Sequence, residues 1–178
     1  TWVTQEDAWK PQYREINGIK IAFIWASYTS YNDNWSGKSE SIARMQDMEK
    51  LWKSVFEAKL FADFVVVTMH GGLEYSAKPT PLQVEFAHAA IDAGADIVIG
   101  AHPHWVQNVE EYKWKNILYS LGNFVFDQEW SKETKEGLTA KITLKKEDQR
   151  TILKSIEYHP VIIENYGQPR LKNMEYIK

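Results

Sequence analysis

The 178-residue chain contains no cysteine. Disulfides, thiolate zinc sites and thiol nucleophiles are therefore excluded. Any metal must be held by imidazole nitrogen or by carboxylate and amide oxygen. There is no excess of positive charge either, because 21 Lys and Arg stand against 24 Asp and Glu, for a net charge of −3. That balance leaves no electrostatic footprint for nucleic acid or for an anionic membrane surface. Long apolar runs are missing. The longest, Phe64 to Met69, falls far short of the roughly 20 residues that a spanning helix needs. Thr1 to Asp7 is polar, with no basic-then-apolar signal pattern, and the chain does not begin with Met. It reads as a processed or truncated piece. A Walker A loop, a G-x-S-x-G elbow and a dinucleotide fingerprint are absent as well.

What is present is an ordinary globular mixture, 44% hydrophobic and 25% charged, sufficient for a core. Length alone suggests one domain over residues 1–178, and no repeat or linker divides it. The eight tryptophans read as packing residues. Ile19 to Trp25 reads as a strand entered through a turn at Asn17-Gly18. Tyr28 to Ser39 is a polar loop, and apolar steps of three and four from Ser39 to Phe61 predict a long amphipathic helix. Phe64 to Met69 is apolar and β-branched, as in a strand buried on both faces. Thr80-Pro81-Leu82-Gln83 then sets an N-cap, a proline at the first helical position and Gln at the third. The helix should stop at Gly94, before a second buried strand at Asp96 to Ile99. Strand, helix, strand in this order is a βαβ unit with parallel strands. Asn116 to Tyr119 and Phe124 to Phe126 are further strand candidates. Leu138 to Lys145 and Ile152 to Glu164 form a closing antiparallel pair around a turn at Lys146 to Gln149.

Three of the five histidines fall at informative places. His70 follows the first buried strand, and His102 and His104 follow the second. Parallel strands bring all three to one carboxyl edge, where open α/β sheets hold their ligands. Pro103 favours extended geometry at His102, which would put the His102 and His104 imidazoles on one face. A lone histidine is ordinarily a hydrogen-bonded filler, but three at one edge point to a metal. His88, inside the capped helix, and His159, in the closing hairpin, read as structural. Gly71-Gly72 suggests a tight turn or a close backbone approach. Glu74 is either a carboxylate orienting an imidazole or a solvated loop acid. Ser120 to Asn123 places a hydroxyl and an amide near another strand end, for oxyanion or metal-water contact or as plain turn chemistry.

Several blocks occur together: His70-Gly71-Gly72-Leu73-Glu74-Tyr75, Pro79 to Gln83, Gly94-Ala95-Asp96, Gly100-Ala101-His102-Pro103-His104, and Tyr119 to Asp127. In this order they resemble the CapA family of capsule (poly-γ-glutamate) biosynthesis, part of the calcineurin-like metallophosphoesterase superfamily. The resemblance is close over residues 62–127 and looser on both sides. It implies an α/β fold, a calcineurin-like α/β/β/α sandwich present here as its C-terminal portion. It also implies a divalent-metal site (Mn, Zn or Fe) at the strand ends. His70 matches the isolated metal-binding histidine of that superfamily, and His102 and His104 match its G-x-H-x-H pair. Glu74 and Asn123 would line the same cleft as catalytic groups. The family's Gly-Asp strand end, second acidic block and Asn-Asn-His block do not occur in this sequence, so the chain is expected to lack the N-terminal half of the domain.

Two functions follow. One is a metal-dependent, phosphoesterase-like hydrolase acting in capsule biosynthesis. The other is a non-catalytic cell-surface module that anchors or exports an anionic capsule polymer. A mononuclear three-histidine zinc site is a third possibility. The expected partners are an anionic polymer or phosphoester substrate, no nucleic acid, and a second copy of the chain or the absent N-terminal half. The family resemblance implies a location at the cell surface or outside the cell, with any membrane contact through a segment not in this sequence.

Overall fold

In the computed structural model, residues 4–28 and 42–172 are described. A short helix α1 (Gln5–Ala8) leads into β1 (Gln12–Ile16) and β2 (Ile19–Ser27). Asn17 and Gly18 both have positive φ, 51° and 75°, the conformation of a two-residue hairpin turn whose twist matches its strands. Next come α2 (Met48–Phe61), β3 (Phe64–His70), α3 (Pro81–Ala93) and β4 (Ile97–Ala101). The chain then forms β5 (Val109–Tyr112), β6 (Lys115–Leu118), β7 (Glu136–Glu147), β8 (Arg150–Glu164) and β9 (Gln168–Leu171).

Six strands form one mixed sheet in the order β1-β2-β3-β4-β6-β5. Its centre, β2 through β6, is parallel, and β1 and β5 close the edges antiparallel. The helix α3 is the crossover of the expected βαβ unit. Its N-terminus carries a full capping box between Thr80 and Gln83, and Gly94 ends it at φ 115°. The remaining strands form a three-stranded antiparallel sheet, β7-β8-β9.

The alternation along β3 shows how the layers stack. Val65, Val67 and Met69 point into one core with Leu51, Val55 and Ala58 of α2 and with Phe86, Ala87 and Ala90 of α3. Phe64 and Val66 point the other way and pack, with Ile97 and Leu118, against Ile142, Leu144 and Ile156 of the second sheet. Burying each such side chain is worth about 1.5–3 kcal/mol, so β3 holds three layers together: helices, mixed sheet, antiparallel sheet.

Three expectations are corrected. The helix does not start near Ser39. Residues 29–41 lie outside the described residues, and Ile42 to Met45 is not helical, α2 beginning at Met48. The end of β2 takes this segment for its own pairing: Ser27 bridges Arg44, its N–H donates to the Ala43 carbonyl at 2.8 Å, and the Met45 N–H donates to the Ser27 carbonyl at 3.0 Å. Phe124 to Phe126 is no strand and is exposed. The preceding Gly122, at φ 69°, turns the chain and bridges Gly137 at the start of β7. The closing hairpin turns more tightly than expected, at Asp148 and Gln149, so β7 and β8 run to Glu147 and from Arg150. The tryptophans occupy both core and surface, in keeping with their reading as packing residues. Trp9 is buried, whereas Trp25, Trp52, Trp114 and Trp130 are exposed.

Candidate metal centre

The parallel register sets Ser27, His70 and Ala101 in one row across the carboxyl edges of β2, β3 and β4. The ladder continues past the strands. The Tyr28 N–H donates to the His70 carbonyl at 2.8 Å, and the Gly71 N–H donates to the Ala101 carbonyl at 3.0 Å. Farther out, the Tyr75 N–H donates to the Pro103 carbonyl at 2.8 Å. The loop after β3 and the loop after β4 are thereby fastened to each other.

His102 and His104 are not extended, contrary to expectation. Their φ angles are 106° and 61°. Non-glycine residues seldom adopt positive φ, and such strain gathers at functional sites. The strained turn still sets neighbouring imidazoles close together. The His70 and His102 ring centres are 5.0 Å apart and those of His102 and His104 are 6.1 Å apart. The His104 ring packs near Tyr75 (5.8 Å) and Phe126 (5.0 Å), and Trp130 meets Tyr75 edge-on at 4.7 Å. Its Nδ1 is 2.8 Å from Asn123 Oδ1.

Glu74 is exposed and lines a recess of about 340 Å³ that it shares with His70, His102, Tyr28 and the two loop glycines. Asn123 is buried behind His104. The sequence reading missed the scaffold beneath this loop. Gln83, fully buried, accepts at Oε1 from the Thr80 N–H (2.9 Å) and donates through Nε2 to Gln107 Oε1 (3.0 Å). Gln107 in turn donates to the Ser76 and Lys78 carbonyls at 2.9 and 3.0 Å. A Cβ at Gly72, where φ is 128°, would collide with the Gln83 amide, so this glycine is required by close approach. The capping box was visible in the sequence. That its glutamine also carries the histidine loop was not, because Gln107 is 24 residues away.

A metal-bound imidazole nitrogen lies about 2 Å from the ion, which places two rings on one tetrahedral ion with centres about 5 Å apart. The His70–His102 pair fits that spacing, and the wider His102–His104 spacing fits it less well. Among the described residues, no group of three His, Asp or Glu side chains is close enough to surround one ion. The donor set brought together is thus a histidine pair with a third imidazole beside it.

Relatives place the chain. It is 39% identical over 137 residues to the PGA biosynthesis protein CapA of Bacillus subtilis, a match covering 77% of this chain and 36% of that protein. It is 38% identical over 130 residues to the capsule biosynthesis protein CapA of Bacillus anthracis, covering 71% and 32%. The chain therefore spans about a third of the length of these curated relatives. Among solved structures, a putative 5'-nucleotidase from Staphylococcus aureus in complex with alpha-ketoglutarate matches with TM-score 0.58 and 20% identity, over 88% of this chain and 30% of that one. A hypothetical protein from Thermus thermophilus matches with TM-score 0.52 and 14% identity, over 84% and 60%. At such identities the likeness speaks for the fold alone: an α/β arrangement with a mixed sheet, corresponding to part of a metallophosphatase-like structure. The family model described as bacterial capsule synthesis protein PGA_cap matches residues 3–128, and the chain belongs to that family.

Proposed function

We propose that the carboxyl edge carrying His70, His102 and His104 is part of a divalent-metal-dependent, phosphoesterase-like hydrolytic centre serving capsule poly-γ-glutamate biosynthesis at the cell surface. The observation that carries this reading is the 5.0 Å spacing of His70 and His102 across two parallel strand ends. These two residues would hold the ion, which, when bound, supplies Lewis acidity and an activated water. The chain's own residues do the rest. His104 offers a third imidazole at the same edge. Glu74, on the rim of the recess, suits orientation of a ligand or acceptance of a proton from an exposed position. The substrate class is an anionic oxygen ester or amide, phosphoester or polyglutamate. No helix among the described residues is long and apolar enough to cross a membrane.

Titration calorimetry with Mn²⁺ and with Zn²⁺, paired with hydrolysis of a generic phosphodiester, tests the proposal. One ion bound per chain, lost in His70→Ala together with turnover, is expected. Tight binding unaffected by His70→Ala would overturn it. The second reading is a non-catalytic module that holds an anionic capsule polymer, favoured by the lack of a three-ligand cluster among the described residues. Its signature is metal-independent retention of polyglutamate with no hydrolysis.

A further inference from the structure

Asn123 has one orientation that satisfies its neighbours. Its Nδ2 is 3.0 Å from the Thr134 carbonyl oxygen and 3.4 Å from Gln128 Oε1. A backbone carbonyl only accepts, so the amide NH₂ must face Thr134. The reverse orientation would set two oxygens against each other in a buried place, with Asn123 only 7% exposed. Oδ1 must then face His104 Nδ1, 2.8 Å away. An amide oxygen also only accepts, so Nδ1 carries the hydrogen. On a neutral imidazole the lone pair then resides on Nε2. Beyond Asn123 the donor direction stays consistent, because Gln128 Nε2 donates to the Tyr75 hydroxyl at 3.1 Å. The Tyr75 and Phe126 rings both pack against the imidazole, with centres 5.8 and 5.0 Å away, and oppose a flip that would exchange the nitrogens.

From this we propose that Asn123 is a positioning residue, backed by Thr134 and Gln128, which locks His104 as the Nδ1–H tautomer and makes Nε2 the atom His104 offers at the histidine edge. The use of Nε2 toward a metal rests on the function proposed above; the tautomer does not. Asn123 acts through His104 and is not itself a catalytic group. Orientation of an imidazole by a fixed acceptor behind it is a general means of raising the basicity of the exposed nitrogen.

Long-range ¹H–¹⁵N correlation spectra of the ¹⁵N-histidine-labelled chain in alkaline buffer read the tautomer directly, with His104 assigned by its absence in His104→Gln. The wild-type ring should show a protonated Nδ1 and a bare Nε2. Asn123→Asp keeps the acceptor and should preserve that pattern. In Asn123→Leu the ratio of Nδ1–H to Nε2–H should fall about tenfold, the worth of one hydrogen bond, while the His88 and His159 signals stay in place. A wild-type His104 protonated at Nε2, or a pattern unchanged in a folded Asn123→Leu, would overturn the proposal. Should Asn123→Leu not fold, the wild-type and Asn123→Asp spectra decide alone. Adding Zn²⁺ to the same sample separates the two readings. If zinc leaves His70 and His102 unperturbed, the metal reading fails and the tautomer assignment stands. Zinc engaging His104 through Nδ1 would overturn the assignment itself.

Discussion

The Tyr119 hydroxyl donates to one oxygen of Glu110 at 2.5 Å, and His88 meets the other oxygen at 2.8 Å. His88 also stacks on Tyr112 with ring centres 3.8 Å apart. This network joins α3, β5 and the end of β6. Its two acids are shifted in opposite directions. Burial raises the Glu110 carboxyl, but the hydrogen bonds from Tyr119 and His88 and the charge of His88 outweigh it, and the net shift is downward. Burial, then the bond to Glu110 and its charge, raise the Tyr119 phenol.

The signs give two limbs in a stability profile. A depressed carboxyl contributes stability that is present above its unfolded pKa and lost as pH falls through the folded value. A raised phenol contributes stability that is present below its unfolded pKa and lost as pH rises through the folded one. Tyr119→Phe should flatten both limbs and cost about 1.5–3 kcal/mol near neutral pH, the range for a hydrogen bond to a charged group. Urea unfolding from acid to alkaline pH measures this. Parallel profiles for wild type and variant would reject it.

Gln83→Ala should be more costly than an ordinary helix substitution. It removes a capping partner from Thr80 and leaves Gln107 Oε1 buried without its donor. Together these are worth about 2–4 kcal/mol. The midpoint of urea unfolding should drop with little change in slope. Gly72→Ala, which must shift the same amide, should weaken the loop in the same direction. The steric share of its cost should vanish in the Gly72→Ala, Gln83→Ala double variant, a non-additivity that a cycle reads directly, while the backbone strain of a Cβ at φ 128° persists.

The parallel core and the histidine edge were legible because their signals are local. A β-branched run, a cap with proline and glycine in place, and a histidine directly after each strand all lie within a few residues. The elements that escaped depend on distant partners. β1, β5 and β9 are edge strands in which every residue is half-buried or exposed, so they lack a hydrophobic run. Ile42 to Met45 has helical spacing, yet the open backbone groups of Ser27 claim it. Phe126 has strand propensity, but its ring lies against His104. The Asn123–Gln128–Tyr75 chain links positions up to 53 residues apart, and no sequence period marks such a contact.

The outer side of α2 leads to a prediction about association. Trp52, Phe56 and Leu60, spaced by one helical turn, are 46%, 60% and 63% exposed. A contiguous apolar stripe of this kind favours association. Light scattering should show mass rising with concentration, through a second copy of the chain. Phe56→Glu with Leu60→Glu should return the monomer without lowering the unfolding midpoint, because neither side chain is part of the buried core. A monomer at all concentrations would remove the basis for the stripe as an interface.

Metal retention and folding should separate. His70 is exposed at the end of β3, and His104 belongs to a loop, while the core rests on Val65, Val67, Phe86 and their neighbours. The double variant His70→Ala, His104→Ala therefore removes imidazoles without opening a cavity in that core. Losing the His104 donor leaves the buried Asn123 Oδ1 unpaired, so stability without metal should fall by about 1–3 kcal/mol while the cooperative transition is kept. Added Zn²⁺ should stabilise the wild-type chain, since an ion that binds only the folded state adds RT ln(1 + [L]/Kd). The same addition should leave the double variant's midpoint unchanged. Thermal unfolding with and without Zn²⁺, on both proteins, gives all four values. Equal stabilisation of the two would place the ion elsewhere, and loss of a cooperative transition in the variant would make the histidines part of the fold's support.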